Sequence, residues 1–163
     1  QEAIDSYQQV IALNPLFEPA YFRLGVIYTQ LDRLNEGKSA FEEVIRLNPN
    51  AAPAYFNIGI AYTKLGHYHE AINANKEALR IKPDFAPAYY NMGLVYGKLG
   101  KPFDEVKAYK EAIRVEPDYV SAHFNLGTAL LQKGDKTGAL DEYKILKKLD
   151  KEAADNLFNK IYY

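Results

Sequence analysis

The sequence predicts an all-α protein made of repeated pairs of helices, about ten helices in all. Two observations lead to this prediction. Proline recurs at intervals of 34 residues, and glycine, tyrosine and aliphatic residues keep the same interval in series of their own. Within each interval, apolar residues are three, four and seven positions apart, which is the period of a helix with one buried face. A repeat of this length is typical of a helical solenoid.

Four whole repeats are predicted, with a partial repeat at each end. The whole repeats are placed at 18–51, 52–85, 86–119 and 120–153, and the chain 1–163 is treated as one domain. Residues 1–17 are predicted to form the second helix of an earlier repeat. Because that helix lacks its partner and the chain starts with glutamine, we expect a fragment of a longer protein. Lys151 replaces the repeated proline, so residues 154–163 are expected to end a C-terminal capping helix.

The second repeat shows how each pair of helices is specified. Pro53 suits the first turn of a helix, and Gly66 is expected to end that helix in the left-handed conformation. A second helix is predicted from about His69 to Ile81, and Pro83 stops it. The residues of the first helix that are predicted to face the core are Tyr55, Ile58, Gly59 and Tyr62.

Two repeats depart from this pattern. In the first repeat, Asp32 stands where a turn glycine is expected. In the third repeat, we interpret the sequence as having lost one residue between Val106 and Tyr109. This interpretation predicts a second helix that starts late or is rotated about its axis.

The pattern Y-x-x-[LIM]-G-x-x-Y, followed by alanine and proline, resembles the tetratricopeptide repeat (TPR) family. It recurs four times in phase and covers nearly the whole chain. The resemblance implies a right-handed α-solenoid in which first helices line a concave groove and second helices form the convex side. It also implies a non-enzymatic module for protein–protein interaction.

Composition argues against several other classes. The formal net charge of −1 gives no sign of nucleic-acid binding, and the absence of cysteine excludes disulfides and a cysteine nucleophile. No apolar run is long enough to predict membrane insertion. His67 and His69 are wrongly spaced for a helical metal pair, and His123 occupies a core tyrosine position. We therefore expect no catalysis, metal or cofactor; the compartment is unknown, with the cytoplasm as the default.

A second apolar stripe runs along the first helices, beside the core-facing one. Phe56 follows Tyr55 directly, so the two side chains are about 100° apart on a helix and cannot share a face. In a TPR protein this second stripe would face the concave groove. We call it the inner stripe; it comprises Phe22, Val26, Phe56, Ile60, Tyr90, Leu94, Phe124 and Thr128.

Polar residues border the inner stripe and complete the predicted ligand groove. An asparagine amide can pair with a peptide backbone whatever its sequence. First helices carry more basic than acidic residues, so a mildly positive groove is expected, which favours an acidic segment or a free carboxylate in the ligand. The bordering residues assigned to the groove are Arg23, Asn57, Lys64, Asn91, Lys98 and Asn125.

The predicted function is to bind a peptide or helical segment of a partner protein in this groove. An alternative interpretation is that the aromatic residues of the inner stripe only pack against each other or against neighbouring helices. Two other functions stay open from the sequence. One is that of a self-assembling scaffold with homo-oligomeric contacts. The other is that of a regulatory or substrate-selecting region of a larger enzyme.

Overall fold

A computed structural model describes all residues, 1–163, and contains ten α-helices and no strand. The all-α prediction is confirmed. The helices are α1 (Glu2–Leu13), α2 (Glu18–Gln30), α3 (Leu34–Leu47), α4 (Ala52–Leu65), α5 (Tyr68–Ile81), α6 (Ala86–Lys98), α7 (Pro102–Val115), α8 (Val120–Gln132), α9 (Lys136–Leu149) and α10 (Lys151–Tyr162).

The chain forms two compact units, Gln1–Pro83 and Asp84–Tyr163. The N-terminal unit contains α1 to α5 and the C-terminal unit contains α6 to α10. In each unit a first helix packs on the second helix of its own repeat, and that second helix packs on the next first helix. Helices α3, α4, α7 and α8 are therefore each covered by helices on two sides within their unit, as expected of a helical repeat.

The turns inside the repeats share one left-handed residue. Gly66, Gly100 and Gly134 have φ values of 77°, 65° and 79°, and Asp32 occupies the same place with φ 59°. The left-handed conformation expected for Gly66 is confirmed. Aspartate adopts this conformation more readily than most residues with a side chain, which explains why the first repeat keeps its turn without glycine.

Close helix crossings explain the glycine that recurs in the middle of the first helices. A Cβ atom on Gly93 would lie 2.4 Å from the Tyr109 ring, and one on Gly25 would lie 2.7 Å from the Phe41 ring. Both rings are buried. Here a small residue on a first helix makes room for a large ring on the second helix.

The interpretation of the third repeat was wrong. Helix α7 has 14 residues, as α5 does, and starts 34 residues after it, so no residue has been lost. Glu105 occupies the place of the buried Ala71 and lies against Gly97, where a Cβ would be 2.8 Å from a carboxylate oxygen. The second repeat has Thr63 where the third has Gly97. The larger side chain has moved from the first helix to the second, and the register is unchanged.

The C-terminal end is closed by α10. Only Asp150 separates α10 from α9, and its side chain accepts a hydrogen bond from the Ala153 N–H. Leu146, Leu157 and Ile161 are buried together on the inner side of these two helices. The start of α10 is fixed by an N-cap, three residues before the repeat boundary at 153/154.

Candidate functional site

In the N-terminal unit, the inner stripe is half-buried. The Phe22 ring meets the buried Phe41 ring edge-on, with centroids 5.5 Å apart and an interplanar angle of 69°. Val26 packs on the same cluster, and Phe56 and Ile60 are also half-buried. Phe22 and Val26 pack on buried residues, as the packing interpretation expected. All four side chains still present apolar surface, which a ligand would cover in the groove interpretation.

Polar groups beside this stripe are partly engaged within the chain. The Asn57 amide donates to the Pro53 carbonyl at 2.7 Å. Lys64 forms an ion pair with Asp32 at 3.2 Å and also donates to the Thr29 carbonyl at 3.4 Å. The ion pair offsets the charge that Lys64 was expected to give this surface, whereas Arg23 is exposed.

In the C-terminal unit, the inner stripe forms one wall of a cavity of about 300 Å³, which we call the C-terminal pocket. Helices α6, α8 and α10 supply most of its lining. The lining residues are Tyr90, Val120, Ser121, Phe124, Asn125, Asp150, Glu152, Ala153 and Asn156.

Tyr90 is the most constrained side chain of the pocket. Its hydroxyl accepts a hydrogen bond from the Asn125 amide at 2.9 Å, and its ring lies 5.1 Å from the Tyr119 ring and 5.8 Å from the Tyr109 ring. Burial raises the pKa of Tyr90, and hydrogen bonds with Asn125 and Ser121 oppose that effect only in part. The phenol is therefore neutral and rigidly placed at physiological pH.

The opposite wall of the pocket is acidic. Asp150 and Glu152 stand at the start of α10, and neither forms an ion pair with a basic side chain of the chain. The sequence prediction missed both residues because it counted charge only along the first helices of the four whole repeats. The signal available was Asp150 followed by the helical run 151–162, which is a helix start.

The remaining predicted groove residues differ in exposure. Asn91 is 5% exposed and belongs to the buried residues, while Asn57 and Asn125 are half-buried. Leu94 packs against the core of the C-terminal unit, and Lys98 is exposed at the last residue of α6. Asn91 thus has far less surface to offer a ligand than the asparagines at the equivalent positions.

His123 lies in the core, as its position in the tyrosine series predicted. Its Nδ1 is 2.6 Å from a Glu142 carboxylate oxygen and its Nε2 is 2.8 Å from the Pro117 carbonyl oxygen. Burial alone would lower the pKa of His123, but the hydrogen bonds to Glu142 and Pro117 outweigh burial and raise the pKa. Both ring nitrogens face acceptors, which favours the doubly protonated ring.

No group of three or more histidine, cysteine, aspartate or glutamate side chains is placed to hold a metal ion. None of the ten helices combines the length and the apolar character that crossing a membrane requires.

Together these features define a class: an all-helical repeat protein with a recurring apolar stripe on its first helices. Family models agree. Models described as tetratricopeptide repeat match residues 18–51, 40–73 and 90–154, and one described as TPR repeat matches 61–100. The chain belongs to the tetratricopeptide repeat family. No curated protein matches it.

Solved structures of TPR proteins are similar to the chain over nearly its whole length. A MamA crystal structure is 26% identical, with a TM-score of 0.82 over 93% of this chain and 89% of that one. TTC0263, a thermophilic TPR protein from Thermus thermophilus, is 22% identical, with a TM-score of 0.79 over 98% and 89%. YrrB is 20% identical, with a TM-score of 0.76 over 97% and 91%. The last two similarities concern the fold alone.

The family and these neighbours support a scaffold for protein–protein interaction, and TPR proteins are typically non-catalytic interaction modules. The predicted α-solenoid fold class is confirmed by the same comparison.

Proposed function

We propose that the chain binds a peptide segment of a partner protein through the inner stripe of its units. One observation supports this most strongly. Half-buried apolar side chains recur at the same two places of successive first helices, and two of the aromatic ones rest on buried rings of the second helices, Phe22 on Phe41 and Tyr90 on Tyr109. YrrB, one of the structural neighbours, is described as a TPR protein with an unusual peptide-binding site.

Pre-organisation is the physical advantage of this arrangement. A ring held on both sides by packing loses little conformational freedom when a ligand covers its remaining face. Covering that face removes apolar area from water, which favours binding by about 25 cal/mol of free energy per Å² buried. Asn57 and Asn125 each use one amide N–H in an internal hydrogen bond. The second N–H and the amide oxygen of each can pair with a peptide backbone.

Selection from a displayed library of random peptides tests this function with the intact chain. Peptides selected on the natural sequence are then measured against Phe56→Ala and Tyr90→Ala, one variant for each unit. We expect binding of each peptide to fall at least about tenfold in one of the two variants, because apolar anchors dominate peptide affinity.

Phe103→Ala is the matched control, since Phe103 is 77% exposed and lies outside the inner stripe. It should leave binding unchanged, and circular dichroism should show that all three variants keep their helix content. Peptides that bind both stripe variants as tightly as the natural chain would contradict the proposal.

Self-association is a second candidate, favoured by apolar residues on the N-terminal unit. Leu13 and Leu16 are 89% and 71% exposed beside the half-exposed Phe17. Sedimentation velocity over a range of concentrations tests it: association that Leu16→Ser weakens supports this candidate. A monomer at every concentration removes it without affecting the peptide-binding proposal.

A further inference from the structure

We propose that the C-terminal pocket binds a cationic side chain, arginine or lysine, of a peptide lying on the inner stripe. The inference rests on the proposed peptide-binding function and adds the chemistry of the ligand. It is opposite in sign to the acidic ligand that the charge of the first helices favoured. The pocket lies within the C-terminal unit.

The aromatic wall of the pocket suits a cation. Tyr90 and Phe124 line it, and the face of an aromatic ring attracts ammonium and guanidinium groups. Phe124 already does so within the chain, because the Lys160 ammonium lies 6.0 Å from its ring centroid. The aliphatic stem of an arginine or lysine would cover Val120 and Ala153 while its charged end reaches the polar wall.

The polar wall carries two carboxylates that form no ion pair within the chain. One Asp150 oxygen accepts from the Ala153 N–H at 2.9 Å, which leaves the other oxygen for a ligand. Glu152 lines the same cavity and has no basic partner. A guanidinium group presents donors in a planar fork, which matches carboxylate oxygens and the amide oxygens of Asn125 and Asn156.

An anionic ligand does not fit the same place. The first turn of a helix usually attracts anions through its free N–H groups. In α10, the Asp150 side chain already accepts a hydrogen bond from the Ala153 N–H, and Glu152 adds a second negative charge in that turn. A carboxylate entering the pocket would meet two carboxylates, so the charge of the pocket selects for cations.

Nuclear magnetic resonance titration of the intact chain tests the pocket directly. The probes are N-acetyl-arginine amide, its uncharged counterpart N-acetyl-citrulline amide, and N-acetyl-glutamate amide. We expect saturable shifts of the side-chain amides of Asn125 and Asn156 with the arginine probe, and at least about tenfold weaker binding of the other two, since a charge-assisted pair in a partly buried site has about this effect.

Variants assign the effect to the acidic wall. Glu152→Gln should weaken the arginine probe about fivefold to tenfold. Asp150→Asn should weaken it as well while α10 stays capped, because asparagine is an equally good N-cap residue. Asp155→Asn, on the same helix but outside the pocket lining, removes one charge and should leave binding unchanged.

The outcomes separate this inference from the proposed function. Equal binding of the arginine and citrulline probes, or an unchanged response in Glu152→Gln, would overturn the inference, and library peptides that still depend on Tyr90 would leave the proposed function standing. If no library peptide binds but the arginine probe behaves as expected, the pocket is a cation site and the proposed function is wrong.

Discussion

The N-terminal and C-terminal units use the same repeat and fill equivalent buried places with different chemistry. Under the glycine of the first helices, the third repeat of the C-terminal unit places the ring of Tyr109 and the first repeat of the N-terminal unit the ring of Phe41, whereas the second repeat places the amide of Asn75. Asn75 is fully buried; its Nδ2 donates to the Ala71 carbonyl at 2.7 Å, and its Oδ1 has no partner. The repeat therefore fixes helix spacing more strictly than it fixes what lies between the helices.

A second difference concerns the tyrosine series. In the first repeat, the Tyr21 hydroxyl donates to the Pro15 carbonyl at 3.3 Å. In the fourth repeat, His123 makes the same kind of contact with Pro117 and adds an ion pair to Glu142. A neutral contact to the preceding turn has become a titratable one, with the backbone partner retained.

The largest effect should come from truncating the buried ring. Tyr109→Ala removes a 2% exposed side chain and should lower the free energy of unfolding by about 4 kcal/mol. Asn75→Ala at the equivalent place should cost only about 1 kcal/mol, because the amide is small and half of it is unpaired. Urea unfolding followed by circular dichroism measures both, and similar losses for the two variants would contradict the comparison.

The buried histidine should make stability depend on pH in the C-terminal unit. The pKa of His123 is raised above 6.5 in the folded state, so its contribution is complete below pH 6.5 and is lost as pH rises through the folded pKa. One proton changes the free energy of unfolding by at most about 1.4 kcal/mol per pH unit.

His123→Tyr restores the residue of the other repeats and isolates this effect. Above pH 6.5, the free energy of unfolding of the variant should no longer include the fall with pH that His123 causes. Urea midpoints measured from pH 5 to pH 9 give the slopes, and identical slopes for the two proteins would refute the assignment.

The smallest effects concern the left-handed turn residue. Gly100→Ala should lower the free energy of unfolding by about 1 kcal/mol, because alanine is strained in the left-handed conformation. No steric clash adds to this, since nothing lies within 4 Å of the added Cβ. Asp32→Gly should stabilise by only about 0.5 kcal/mol, because relief of the backbone is offset by loss of the ion pair with Lys64. Calorimetric melting temperatures that move in the same direction for both variants would be inconsistent with this account.

Periodicity was enough to predict the helices, because each repeat specifies its own turns and its own buried stripe. It failed at Glu105, where the sequence alone does not show that Gly97 on the facing helix has made room for a larger side chain. Burial of Asn91 beside half-buried Asn57 and Asn125 was likewise invisible, since all three occupy the same place in the repeat.

The candidate site was only partly predictable for a related reason. Tyr90, Phe124 and Asn125 were found by their recurrence, but the acidic wall of the C-terminal pocket comes from α10, which has no equivalent among the whole repeats. Asp150 and Glu152 join the site because α10 packs against α8, which is a tertiary contact.

The central claim is that partners bind to the inner stripe. Backbone amide shifts of the intact chain, recorded while a library-selected peptide is added, test it most directly. The account predicts that the largest shifts fall on α2, α4, α6 and α8, the helices that carry the stripe. Largest shifts on the second helices α3, α5, α7 and α9, with the stripe unaffected, would contradict it.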